Sequence, residues 1–212
     1  MNYKIIKKKI KSFIIRIYPD KKIIVSVPYS ASSEEIEAFL EGKKDWINKS
    51  LKKLSNKDIE TENNIILLGK LRTKRLIKSE MNMIRLSQKN IYIYHKEDNI
   101  ENSKINSMIE EWKKTELDSI IREYIEKYTF LLNTQIKTYK IKKMSSAWGI
   151  YHTKNNYITF NYDLIKKDKK CIEYVVLHEL CHIFFQNHKK EFWNLVENYM
   201  SDYKMYRKLL KQ

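Results

Sequence analysis

Tyr174-Val175-Val176-Leu177-His178-Glu179-Leu180-Cys181-His182 sets two histidines four residues apart in an apolar run, with a glutamate directly after the first. On an α-helix, residues four apart share a face with Cβ atoms about 6 Å apart, so both imidazoles can reach one cation. Glu179 stands one step round the helix, where its carboxylate can meet a water held by that cation without displacing it, the place of a general base. With five histidines in 212 residues, a chance H-E-x-x-H is expected roughly 0.01 times in such a chain. The plain alternative is a buried helix whose two histidines are satisfied by hydrogen bonds.

A catalytic zinc site takes three protein ligands and keeps a position open for water. The third ligand is expected at His188, because Gln186-Asn187 can end the helix and turn the chain back. Glu191, Glu197 and Asp202 are the fallback carboxylates. Cys181, between the histidines, reads as a small packing residue. Cys171 and Cys181 lie ten residues apart in one expected helix, so roughly 15 Å separates them. A disulfide needs Cα atoms within about 7 Å, so both are expected as reduced thiols, in keeping with a cytoplasm.

Working outward, Asp168 can cap the helix, which is expected to run to about Phe185, with further helices over 190–199 and 203–210. Upstream, Trp148-Gly149-Ile150-Tyr151 and Tyr157-Ile158-Thr159-Phe160 flank the polar turn Lys154-Asn155-Asn156 as a hairpin. Gly149 beside Trp148 marks a strand whose backbone comes close to something, such as an edge that pairs with an extended peptide; Trp148 as core filler is the alternative. His152 reads as a surface imidazole or a group that polarises a substrate carbonyl. Asn161 reads as a residue that orients a ligand from behind.

Ile109, Trp112, Leu117, Ile120, Ile121, Ile125 and Tyr128 recur at helical spacing, giving a long amphipathic helix from Ile105 to about Leu132. Before it, short strands are expected over 65–68, 71–77, 83–86 and 91–94. Residues 52–63 read as a polar linker, and Ser32-Ser33-Glu34-Glu35 as the start of a helix that Gly42 interrupts. Residues 10–27 have apolar runs either side of Tyr18-Pro19-Asp20-Lys21, the pattern of a hairpin. The whole reads as α+β, with a β-rich section over 1–100 and a catalytic domain over 101–212.

The chain carries a net charge of +16, spread as +10 over residues 1–100 and +6 over 101–212. Such a surface attracts nucleic acids and acidic proteins. Lysine outnumbers arginine 36 to 6, so part of the excess is compositional habit rather than a designed patch. No apolar run of about 18 residues occurs and the first residues are charged, so a cytoplasmic protein with no membrane partner is expected.

Several of these segments resemble one family. They are Ser146-Ala147-Trp148-Gly149, Ile158-Thr159-Phe160-Asn161-Tyr162-Asp163-Leu164-Ile165, the helix Glu173–His182, and Asn187-His188-Lys189-Lys190-Glu191-Phe192-Trp193. Together with the N-terminal hairpin and Asp45-Trp46-Ile47, they resemble the YgjP-like metallopeptidases, with SprT-type zinc peptidases as more distant relatives. The resemblance implies a zincin-like catalytic domain, Zn2+ on His178, His182 and His188, Glu179 as base, and protein or peptide substrates. Where that family commonly has Ser-Cys after Trp-Gly, this chain has Ile150-Tyr151. The competing expectation is a basic nucleic-acid-associated module with a structural zinc, which calls for four protein ligands and salt-sensitive binding.

Overall fold

Residues 3–18, 22–55 and 60–211 are described by the computed structural model, as are all their side chains except those of 52–55. Pro19, Asp20 and Lys21 of the expected hairpin turn lie outside the described residues. By contacts the chain divides into Met1–Thr61 and Glu62–Gln212.

In the first unit, β1 (Tyr3–Lys8), β2 (Ile14–Ile17) and β3 (Ile23–Pro28) form a sheet of order β1-β3-β2. β2 and β3 are antiparallel, as expected of the hairpin, while β1 joins β3 in parallel with Tyr3 opposite Ile23. Helix α1 (Ser33–Ser55) starts at a capping box: Glu35 donates its backbone N–H to Ser32 Oγ at 3.2 Å, and Ser32 N–H donates to Glu35 Oε2 at 2.9 Å. Gly42 does not interrupt the helix, and the helix continues to Ser55, into the expected linker. Lysine and leucine favour that continuation. Ile23, Val25 and Val27 pack with Ile36, Leu40 and Ile47 as this unit's core.

The second unit holds β4 (Asn64–Leu67), β5 (Lys70–Lys78), β6 (Met83–Leu86) and β7 (Asn90–His95), in the order β4-β5-β7-β6. Helix α2 (Asn102–Leu131) buries Ile105, Ile109, Leu117, Ile120, Ile121, Ile125 and Tyr128 along one face. A second sheet of β8 (Thr138–Lys142), β9 (Gly149–His152) and β10 (Tyr157–Asn161) has the order β8-β10-β9, so antiparallel β9 is an edge. Then come α3 (Lys169–Cys181), α4 (Lys190–Tyr199) and α5 (Tyr203–Leu210). The fold is α+β, as expected.

The strands between Ile65 and His95 share one core with α2 and α3, within the unit that begins at Glu62. The reason is burial: Ile91 and Ile93 need an apolar partner, and the C-terminal helices supply it. The β4–β5 turn is also tied there. Leu68 and Gly69 both have positive φ (49° and 76°), the pair that a two-residue hairpin turn demands. Their N–H groups donate to the carbonyls of Ile165 and Lys166 at 2.8 and 3.1 Å.

α3 lies at the centre of this core. Asp168 caps it by accepting from Lys170 N–H at 2.8 Å, and Val176, Leu177 and Leu180 are fully buried, each contributing about 1.5–3 kcal/mol. It ends at Cys181, earlier than the expected Phe185, because the chain turns there: Ile183 and Phe184 N–H donate to the carbonyls three residues back at 3.1 Å.

Candidate metal centre

The last turn of α3 and the turn that follows it bring three imidazoles together. One ring nitrogen each of His178, His182 and His188 lies within 4.8 Å of the other two, and His178 Nε2 is 3.0 Å from His188 Nε2. Two nitrogens held at 2.0–2.1 Å by one tetrahedral ion stand roughly 3.3 Å apart, so the spacing is that of a ligand pair.

The second ring nitrogen of His182 fixes its tautomer. His182 Nδ1–H donates to the Phe185 carbonyl at 2.9 Å, leaving Nε2 with a lone pair. Tyr174 Oη lies 3.4 Å from His178 Nδ1. Burial, and then the nearness of His182, His188 and Arg207, pushes His178 down to about 3. Burial also lowers His182, against the pull of the Phe185 carbonyl, and lowers His188, where the nearness of His182 and Arg207 adds to it. Neutral imidazoles are what a divalent cation needs.

Glu179 is 6% exposed. Burial pushes its carboxyl up to about 7, opposed only by the backbone N–H of Tyr151. The strand carrying that N–H fits against Glu179 because residue 149 has no side chain: a Cβ at Gly149 would stand 2.6 Å from Glu179 Cγ and 2.8 Å from Oε1. The close backbone approach expected at Gly149 is thus an approach to Glu179 itself.

Two cavities flank this carboxylate, both lined by Gly149, His178 and Glu179. One, of about 280 Å³, continues over Tyr151, His182 and His188. The other, of about 220 Å³, runs between Trp148, Tyr174 and α5 and includes Arg207. Arg207 escapes sequence reasoning: it lies 25 residues beyond His182 on a short basic helix, and only the packing of α5 brings it here. Tyr174, one turn before His178, was within reach of the helical spacing.

The other residues singled out from sequence fall elsewhere. Glu197 pairs with Lys204 at 3.1 Å, Asp202 accepts from Tyr206 Oη at 2.9 Å, and Glu191 sits exposed in the first turn of α4. None joins the histidines. The structural-zinc alternative needs a fourth ligand, and among the described residues none completes the group. Cys181 is buried, its thiol pushed up to about 12. His152 bonds Thr159 Oγ1 at 3.0 Å and stacks on Tyr157. Asn161 serves the fold rather than a ligand: its amide bonds the backbone of Met144, Ala147 and Asp163.

Among the described residues no helix is long and apolar enough to cross a membrane. No curated protein matches the chain. Two solved structures match part of the chain. The crystal structure of the metallopeptidase zymogen of Pyrococcus abyssi abylysin is 21% identical over 36% of this chain and 76% of its own, with a TM-score of 0.34. That of the metallopeptidase zymogen of Methanocaldococcus jannaschii jannalysin is 26% identical over 45% of this chain and 91% of its own, with a TM-score of 0.36. The family model for the YgjP-like metallopeptidase domain matches residues 11–212, nearly the whole chain, and the protein belongs to that family.

Proposed function

We propose that this metallopeptidase is a zinc enzyme that hydrolyses peptide bonds, with His178, His182 and His188 as the metal ligands and Glu179 as general base. The observation that carries the reading is the convergence of three neutral imidazoles beside a buried carboxylate that, among the described residues, no cation neutralises. Three nitrogen donors with room for a fourth ligand suit zinc. A zinc ion held there would polarise the scissile carbonyl and make water acidic near neutral pH.

The chain's own groups do the rest. A carboxylate near pH 7 in its affinity for protons can take one from the attacking water and later give it to the leaving amine nitrogen. Burial against β9 keeps bulk water from competing for that proton. Beyond the Tyr151 N–H that meets Glu179, the edge strand β9 offers backbone donors and acceptors to an extended peptide, and Gly149 sets that strand beside Glu179.

Metal content separates the roles. Wild type and Glu179→Gln are expected to hold about one zinc per chain, and His188→Ala far less, since one lost ligand removes much of the affinity. Peptide hydrolysis by wild type alone completes the pattern. Full activity in zinc-loaded Glu179→Gln would overturn the assignment of the base.

A further inference from the structure

The cavity between Trp148, Tyr174 and α5 has a composition that the hydrolytic chemistry does not use. Beyond the wall of Gly149, His178 and Glu179 that it shares with the metal centre, its sides are formed by Trp148, Tyr174, Val175 and Leu210, and one rim carries Arg207 and Lys211. At about 220 Å³ it exceeds the roughly 150 Å³ that admits a benzene ring, so a single side chain fits.

The guanidinium is positioned for recognition. It stands 4.3 Å over the Trp193 ring, and Trp193 is itself held by stacking with Tyr203 at 5.3 Å and His188 at 5.4 Å. Stacking holds the plane of an arginine and leaves its edge N–H groups free to form a two-pronged pair with a carboxylate. Among the described residues no carboxylate lies within 4.0 Å of Arg207 or Lys211. Trp148 Nε1–H donates to the Leu210 carbonyl at 2.9 Å, which fastens the end of α5 to the start of β9 and so to the cavity's catalytic wall.

We infer that this cavity is a specificity subsite, in which Arg207, assisted by Lys211, binds a substrate carboxylate close to the scissile bond while the apolar walls hold its stem. The inference rests on the peptidase reading above. Two sources offer that group, an aspartate or glutamate side chain and the C-terminal carboxylate of a short peptide. Arg207 is here a substrate-binding residue and takes no part in proton transfer.

Binding to zinc-loaded Glu179→Gln protein, in which turnover is slowed about 10²–10⁴-fold, provides the test. The probes are alanine-based peptides of about six residues with Glu or Gln at each position in turn, each made with a free and an amidated C-terminus, measured by calorimetry. The carboxylate form is expected to bind about tenfold to hundredfold tighter, the yield of one charge-assisted pair. Preference in the amidated series identifies a side chain; preference confined to free termini identifies the C-terminal carboxylate. Adding Arg207→Gln should remove the preference, Arg207→Lys should keep part of it, and reversing both charges should favour Lys-bearing peptides.

Equal binding of Glu and Gln peptides with equal binding of free and amidated termini overturns the inference, as does a preference that survives Arg207→Gln. Mass-spectrometric mapping of cleavage by zinc-loaded wild type separates the two levels. Cleavage with no carboxylate preference sinks the subsite alone. No cleavage of any peptide sinks the peptidase reading, and the subsite with it.

Discussion

The two ends of α3 each bury a carboxylate, and the two are opposite in kind. Glu173, 2% exposed, accepts hydrogen bonds from Lys127 at 2.6 Å, Lys170 at 2.7 Å and Tyr128 Oη at 2.9 Å. Burial raises its proton affinity, but these three partners outweigh burial and leave its pKa below the ordinary value. Glu179, six residues on, is almost as buried and has one backbone N–H, so burial wins and its pKa rises to about 7. Burial alone therefore does not mark a reactive group. A buried carboxylate without a cation does, since it is costly to keep unless a function needs it.

The sharpest way to break this comparison is to neutralise each end. Glu179→Gln should cost about 10²–10⁴ in kcat, the scale of a positioned general base. In metal-free protein it should leave stability equal or higher, because a neutral amide replaces a buried, unpaired charge. Steady-state assays with denaturant melts check both. A large loss of stability with activity retained would invert the assignment of the two ends.

Gly149→Ala sharpens the comparison from the strand side. The added methyl would lie 2.6–2.9 Å from three atoms of the Glu179 side chain, so carboxylate or strand must move. Displacing a catalytic group by even about 1 Å can cost around a hundredfold, with about 1–3 kcal/mol of overpacking strain. Zinc content should stay near wild type. Unchanged kcat at full metal loading would show that the Gly149 contact does not hold the base.

The site was legible where it is local. Four-residue spacing on a helix gives His178, His182 and Glu179, and a polar helix end followed by histidine gives His188, because one turn of backbone geometry relates them all. What escaped depends on distant packing. β1 reads as a charged N-terminal segment and becomes a strand only by pairing in parallel with β3. The parallel β5–β7 pair and the division at Thr61 rest on which apolar faces find each other. Asn161 reads toward a ligand because its type permits it, yet the 143–148 backbone takes its amide.

Glu173→Gln is the smallest effect and the test of what partners do. It removes two ion pairs and can keep the Tyr128 hydrogen bond. The lysine side chains are about half exposed, 46% and 57%, so water screens both pairs and the loss should be about 1–3 kcal/mol. Because the folded-state pKa lies below the ordinary 4.5, the stabilisation is present above pH 4.5 and disappears as pH falls through the folded value. Urea melts of metal-free wild type and variant should therefore show a constant gap from pH 8 to about 5 that closes on further acidification, with kcat of the zinc-loaded variant close to wild type. A gap that widens in acid would mean that Glu173 is protonated in the fold, and the contrast between the two ends of the helix would fail.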